Sequence, residues 1–111
     1  MNPSRTEAIK TLTTTGMPYA LESGLINGRP CRFFTHAPHT LGQLFADNVS
    51  DKTFLVYEDE RLTFSEVYDQ AMQLANILAS EFGVKHGDRV AISMRNYPEW
   101  VISFMAVTAM G

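Results

Sequence analysis

The stretch Leu62-Thr63-Phe64-Ser65-Glu66-Val67 decides the fold of this chain, because it opens the longest helix that the sequence predicts. Thr63 and Glu66 have the spacing of a capping box, in which each side chain accepts a hydrogen bond from the other residue's backbone N–H at a helix start. Behind the cap, apolar side chains recur at helical spacing and the pattern stops at Gly83. The members of this apolar face are Val67, Ala71, Leu74, Ala75, Leu78 and Phe82. We therefore predict an amphipathic helix that ends at Gly83.

The elements directly before this helix follow from similar local signals. Thr40 and Gln43 have capping-box spacing ahead of a short apolar stripe, which predicts a helix over about 41–49. A strand is predicted over 53–57 and a short one over 61–63, joined by a solvated acidic turn. The second strand leads the chain into the capping box.

Further towards the N-terminus, Asn27-Gly28 separates two predicted strands, residues 19–26 and 29–34. Asn and Gly tolerate the positive φ angles of a type I′ turn, so the pair predicts a β-hairpin. Pro30 cannot donate a ladder hydrogen bond, which predicts that its strand lies at an edge or carries a bulge.

After the long helix, residues 89–94 are apolar on both faces of a pleat, which predicts a strand buried on both sides in a parallel sheet. Asn96 is the predicted N-cap of a last helix, with Pro98 in its first turn. Residues 100–110 have no charged face, yet they are too few for a membrane span of about 20 residues, so no transmembrane segment is expected. A helix that is apolar all round needs cover on every side. We expect the protein that covers its outer side to lie beyond Gly111.

Composition excludes several classes of protein. The 111 residues include 9 Lys+Arg and 12 Asp+Glu, a net charge of −3, and the basic residues are scattered, which argues against nucleic-acid binding. Apolar residues make up 45% and charged residues 19%, as in a soluble globular domain. The lone Cys31 and the absence of an apolar leader favour a reducing, cytoplasmic setting. Residues 1–18, rich in Thr and Ser, are expected to form a flexible N-terminal arm.

The reactive side chains show no arrangement typical of a catalytic site. The seven glycines are never closer than four apart, so no loop can wrap its N–H groups around a phosphate. The histidines do not have the spacing of metal ligands. The cysteine lies in a predicted strand, away from any histidine or helix N-terminus in the sequence. The serines lack the flanking glycines of a nucleophile elbow. The side chains considered were Cys31, His36, His39, His86, Ser65, Ser93 and Ser103. From the residues alone, we assign no catalytic, cofactor-binding or metal-binding residue.

Four stretches, in this order, resemble the N-terminal part of the adenylate-forming enzymes, which include acyl-CoA synthetases, firefly luciferase and the adenylation domains of peptide synthetases. Residues 62–67 resemble the family's first core motif, with Phe64 in place of Tyr and Val67 in place of Leu. Residues 83–92 resemble the stretch that joins the family's first long helix to the next strand, and Asn96-Tyr97-Pro98-Glu99 followed by an apolar helix also resembles the family.

The fourth stretch, residues 107–111, resembles the opening of the second core motif, with Thr108 where lysine is common and Met110 where a small residue is usual. The hairpin around Asn27-Gly28 and residues 33–41 look more like the fatty-acyl-CoA ligase branch than like peptide-synthetase domains.

The resemblance implies an α/β fold, a partial N-terminal subdomain of the adenylate-forming enzyme fold with β-hairpins and a β-α-β-α unit. Residues 19–111 would be the first part of the N-terminal domain of a fatty acid–CoA ligase for long- or medium-chain substrates. The parent enzyme would use ATP, Mg²⁺ and coenzyme A through an acyl-adenylate. Its phosphate loop, metal-binding Glu and catalytic Lys would lie beyond Gly111, so this fragment alone is expected to be inactive and to bind no cofactor.

Two alternatives remain open at this point. In one, the chain is a stand-alone interaction or dimerisation module that uses its apolar last helix as an interface. In the other, it is a fragment of an adenylation domain that activates amino or aryl acids. The expected partner is the rest of the parent chain, or a second copy through the last helix.

Overall fold

A computed structural model describes residues 2–111, and the chain divides after Ala37 into two compact units. Each unit combines one antiparallel two-stranded sheet with at least one helix, so the predicted α/β class is confirmed. The first unit contains α1 (Arg5–Leu12), β1 (Leu21–Ile26) and β2 (Arg29–Phe34). The second contains α2 (Leu41–Asp47), β3 (Thr53–Tyr57), β4 (Glu60–Thr63), α3 (Phe64–Phe82) and α4 (Pro98–Ala109).

The hairpin of the first unit has the turn that its sequence predicts. Asn27 and Gly28 have φ angles of 49° and 76°, as the two central positions of a type I′ turn require. Pro30 lies opposite Leu25 in a sheet of only two strands, so its strand is an edge strand. Both predictions for this hairpin are confirmed.

Helix α1 lies within residues 1–18, where we expected a loose arm. It begins with a complete capping box: the Ser4 hydroxyl accepts from the Glu7 backbone N–H at 3.3 Å, and the Glu7 carboxylate accepts from the Ser4 backbone N–H at 2.8 Å. None of the helical residues is buried. This helix was not among the predicted elements, and the flexibility of residues 1–18 stays a prediction; Met1 lies outside the described residues.

Helix α2 is held at its start by half of a capping box. The Thr40 hydroxyl accepts from the Gln43 backbone N–H at 3.0 Å, but the Gln43 side-chain amide donates to Asp47 at 2.8 Å instead of reaching back to Thr40. The helix ends at Asp47, two residues before the predicted end.

Helix α3 matches its predicted ends. The Thr63 hydroxyl accepts from the Glu66 backbone N–H at 3.1 Å, the Glu66 carboxylate accepts from the Thr63 backbone N–H at 2.8 Å, and Gly83 ends the helix with a φ of 65°. Of the predicted apolar face, Phe82 is the exception, because it is 73% exposed at the last position of the helix.

The core of the second unit lies between α3 and α4. Val67 and Ala71 of α3 and Ala106 of α4 are completely inaccessible to solvent. The remaining buried members of this cluster are Ala75, Ile102 and Met105. The small residues at the centre let the two helices approach closely, and the hairpin residues Leu55 and Leu62 pack against the same cluster.

Two predictions around α4 are wrong. Residues 89–94 form no strand: the described sheets have only two strands each, none of them from this segment, and Val90 and Met94 are exposed. A strand is a paired structure, so an apolar sequence without a partner does not form one. The N-cap of α4 is Tyr97 rather than Asn96, because Pro98 occupies the first helical position and holds the residue before it extended, at a ψ of 165°.

Candidate functional site

The capping box of α3 fills the helix N-terminus with the protein's own groups. The Thr63 backbone N–H, followed by the Thr63 hydroxyl, lowers the pKa of the Glu66 carboxylate. A helix N-terminus attracts anions, and here a side-chain carboxylate already takes that place. Thr63 and Glu66, in the stretch that resembles the first core motif, therefore act as a structural cap. The negative charge of the Glu66 carboxylate would repel a phosphate.

The start of α4 has no such cap. Tyr97 makes no side-chain capping hydrogen bond, and Pro98 has no backbone N–H to offer. The Tyr97 ring instead meets Tyr57 of β3 edge to face, with centroids 5.3 Å apart. Burial, followed by the neighbouring Tyr97, raises the pKa of the Tyr57 phenol. The predicted Asn96 motif thus joins α4 to the second hairpin by an aromatic contact.

Two apolar surfaces of the second unit stay open. Trp100 and Phe104 stack on the outer side of α4 with centroids 5.5 Å apart and planes 6° apart, and Phe104 is 38% exposed. A groove of about 270 Å³ lies beside the stacked rings of Phe54 and Phe64, whose centroids are 4.2 Å apart. The groove is lined by Leu44, Phe45, Asn48, Phe54, Phe64 and Met105.

The end of α4, in the stretch that resembles the second core motif, contacts two other segments of this unit. A Cβ atom at Gly42 of α2 would lie 3.4 Å from the carbonyl oxygen of Ala109. In the turn after α3, the Gly87 backbone N–H donates to a main-chain oxygen of Gly111 at 2.9 Å. Sequence reasoning missed both contacts, because each joins residues far apart in the chain and neither has a local pattern.

None of the cysteine and histidine side chains singled out from the sequence is fully buried. Cys31 is half-buried in β2 opposite Gly24, and His36, His39 and His86 are exposed. Over residues 2–111, the structure contains no group of three or more His, Cys, Asp or Glu side chains that could hold a metal ion. The same residues contain no helix that is long and apolar enough to cross a membrane.

The model of the family described as "AMP-binding enzyme" matches residues 43–111, which run from the first turn of α2 to the end of α4. The chain belongs to the AMP-binding enzyme family. Its match to the family includes the capping box of α3, the α3–α4 core and the packed end of α4. The expected adenylate-forming relationship is confirmed at this level.

Curated members of the AMP-binding enzyme family give the same result. Acetyl-coenzyme A synthetase of Sinorhizobium medicae is 40% identical over 67 residues, 55% of this chain and 10% of the relative. Pyochelin synthetase PchE of Pseudomonas aeruginosa is 32% identical over 97 residues, 86% of this chain and 7% of the relative. Bacitracin synthase 3 of Bacillus licheniformis is 35% identical over 82 residues, 69% of this chain and 1% of the relative.

The chain thus spans a tenth or less of the length of these curated relatives. No solved structure matches it significantly.

Proposed function

We propose that the chain is the N-terminal part of an ATP-dependent acyl-CoA synthetase whose chemistry is carried by a longer protein. The observation that carries the proposal is the family match over residues 43–111, together with the identity to an acetyl-coenzyme A synthetase. Such a ligase would join a carboxylic acid to AMP with release of pyrophosphate and then transfer the acyl group to the thiol of coenzyme A. A carboxylate is a poor electrophile, and the acyl-adenylate provides the leaving group that it lacks.

The described residues do not fit ATP or its Mg²⁺. The α3 N-terminus is occupied by the Glu66 carboxylate, and α4 begins with Pro98, which has no N–H. No two glycines are closer than four residues apart, so no described loop can present several N–H groups to a phosphate. We therefore derive no catalytic step through these residues and infer that ATP, Mg²⁺ and coenzyme A bind elsewhere in the proposed enzyme.

Within this proposal, the substrate is a fatty acid of medium or long chain and the enzyme is cytoplasmic. The resemblance of residues 33–41 to the fatty-acyl branch supports the fatty acid. The printed name of the Sinorhizobium medicae relative supports a shorter acid, acetate, as the competing substrate. A domain that activates amino or aryl acids is the other competitor, favoured by the 86% and 69% of this chain that match pyochelin synthetase PchE and bacitracin synthase 3.

The proposed function is tested by expressing the whole reading frame and measuring acid-dependent exchange of pyrophosphate into ATP, with acetate, octanoate, palmitate and a set of amino and aryl acids. We expect exchange with an aliphatic acid and formation of its coenzyme A thioester. Exchange with amino or aryl acids alone would favour the adenylation-domain alternative. A natural stop codon directly after Gly111, with no exchange, would contradict the ligase.

The 111-residue chain is the matched control for that assay. Calorimetric titration of the chain with ATP is expected to show no binding in the micromolar range. Stoichiometric micromolar binding would contradict the inference that ATP binds elsewhere.

A second candidate function is self-association through α4. It is favoured by Phe104, which is 38% exposed and stacks on the half-buried Trp100, since contiguous apolar surface on a protein marks interfaces. Analytical ultracentrifugation of the chain tests this candidate: a concentration-dependent dimer that Phe104→Ser abolishes supports it, and a monomer at high concentration contradicts it.

A further inference from the structure

The chain leaves α4 at Gly111, and this residue is held by the turn that follows α3. The Gly87 backbone N–H donates to a main-chain oxygen of Gly111 at 2.9 Å. Gly111 has a φ of 85°, and a Cβ atom there would overlap the imidazole of His86, 2.8 Å from its Cε1. The histidine ring therefore covers the position that a side chain at residue 111 would take.

The turn is itself closed by a side chain. The Asp88 carboxylate accepts from the Lys85 backbone N–H at 3.0 Å, and the Asp88 backbone N–H donates to the Lys85 carbonyl at 3.1 Å. The Val84 backbone N–H donates to Leu78 at 3.0 Å, which joins the turn to the last part of α3. The position of the Gly87 N–H is thus set by two hydrogen-bonded connections rather than by the turn alone.

The same helix end also packs against α2. A Cβ atom at Gly42 would lie 3.4 Å from the Ala109 carbonyl oxygen and 3.5 Å from its Cα, so the two backbones approach closely. The end of α4 therefore contacts both α2 and the turn, and a shift away from either loses a contact.

We propose that His86, Gly87 and Asp88 form a clamp that positions the end of α4 relative to α3. The clamp is a property of this chain. Its use rests on the proposed function: in the longer synthetase, residues 107–111 would open the second core motif that they resemble, and the clamp would fix the position of that stretch. The three residues are positioning residues and not catalytic ones.

The clamp is tested first in the 111-residue chain by amide hydrogen exchange and NMR. Asp88→Ala removes the acceptor that closes the turn, whereas Asp88→Asn keeps an oxygen that can accept the Lys85 N–H. In Asp88→Ala we expect exchange at the Gly87 amide to accelerate roughly tenfold and the NOEs between His86 and Gly111 to disappear. Asp88→Asn should retain the original Gly87 exchange rate and the NOEs between His86 and Gly111. The same is expected of Asp69→Ala, which removes an exposed carboxylate from α3.

The outcomes separate cleanly. The clamp is overturned if Asp88→Ala and Asp88→Asn have the same Gly87 exchange rate and the same His86–Gly111 NOEs. It is also overturned if the Gly87 amide is unprotected in the original chain. If Asp88→Ala unfolds the chain, Gly111→Ala takes its place. The added methyl group should displace the His86 ring and abolish its NOEs to residue 111 while the α3 amides keep their protection, and retained NOEs overturn the clamp.

The use of the clamp is tested in the full-length protein by steady-state kinetics of acyl-adenylate formation. Asp88→Ala should lower kcat by roughly tenfold with a smaller change in KM for ATP, because a displaced motif misaligns the reacting groups. Asp88→Asn should restore kcat. An unchanged kcat overturns the positioning role. A full-length protein without any adenylating activity contradicts the proposed function instead, and it leaves the exchange result as the test of the clamp.

Discussion

Helices α3 and α4 lie against each other over one core, but they become helices for different reasons. Helix α3 has a complete capping box at Thr63, a left-handed glycine at its end and a polar face towards solvent. Helix α4 has none of these features. Its N-cap Tyr97 makes no side-chain capping hydrogen bond, and its own residues 100–110 include no charged side chain. The comparison shows that α3 is specified by its own residues, whereas α4 depends on what packs around it.

The largest effect on the free energy of unfolding is expected where α3 and α4 pack most closely against each other. Ala106→Leu places three additional carbon atoms at a position with 0% exposure, against Val67 and Ala71. Overpacking of this kind should lower the free energy of unfolding by about 2 kcal/mol, measured by urea denaturation. The matched control is Ala79→Leu on the exposed side of α3, which should change it by less than about 0.5 kcal/mol. Equal effects of the two substitutions would contradict the packing of α4 on α3.

Removal of the α3 cap should have the next largest effect. Thr63→Ala leaves the Glu66 backbone N–H without its acceptor and should cost about 1 kcal/mol of unfolding free energy. Thr63→Ser retains the hydroxyl and should stay close to the original chain. If Thr63→Ala leaves the stability unchanged, α3 depends on its surroundings as much as α4 does, and the contrast between the helices fails.

The C-terminal end of α3 sharpens the same contrast. Gly83→Ala keeps a left-handed conformation that a Cβ disfavours, and no atom lies close enough to clash with that Cβ. Since alanine also restricts the unfolded chain, the net loss should be about 0.5–1 kcal/mol. Gly83→Asn should lower the free energy of unfolding by less than Gly83→Ala does, because asparagine tolerates the left-handed conformation better than alanine. Thermal denaturation of the three proteins side by side measures the order.

The smallest effect is a dependence on pH. Hydrogen bonds from Thr63 hold the pKa of Glu66 below its ordinary value of 4.5 in the folded chain. The unfolded chain therefore takes up the proton at a higher pH than the folded chain does. The stabilisation is complete above about pH 4.5 and is lost as the pH falls through the lower, folded pKa.

Glu66→Gln should flatten this acid-side loss in urea denaturation between pH 7 and pH 3. Asp69→Asn, which changes a carboxylate of the same helix outside the cap, should leave the loss in place. A Glu66→Gln variant with the original slope would show that the cap does not respond to protonation.

The elements that the sequence predicts correctly are those with a local cause. Asn27-Gly28 has the backbone freedom that a type I′ turn needs, Thr63 and Glu66 satisfy each other's N–H groups, and Gly83 permits the left-handed end of α3. In each case the residues that make the structure are neighbours in the chain, so a single sequence contains the whole argument.

The wrong predictions concern structure that needs a partner or a finer steric rule. Residues 89–94 have a strand's composition, but a strand also needs a neighbour, and the described residues supply none. Asn96 is a better capping residue than Tyr97 by type, yet Pro98 sets the helix start one residue later. Helix α1 was missed although Ser4 and Glu7 have capping-box spacing, because no buried apolar face follows them.

The candidate site was predictable only as a set of motifs. The similarity to the second core motif identified residues 107–111, but nothing in the sequence connects them with Gly42 or with His86. These contacts arise from the way α2 and the turn after α3 fold back onto α4. Close approaches of the backbone between residues far apart in the chain leave no periodic or compositional pattern in the sequence. They could therefore be found only in the structure.

The stacked ring on the outer side of α4 provides a built-in optical probe. Trp100 is the only tryptophan in the chain, and it lies flat against Phe104 next to solvent. Indole emission shifts to shorter wavelength when water is removed from the ring. One fluorescence spectrum, recorded without any label, therefore reports whether other protein has come to rest on that side of the helix.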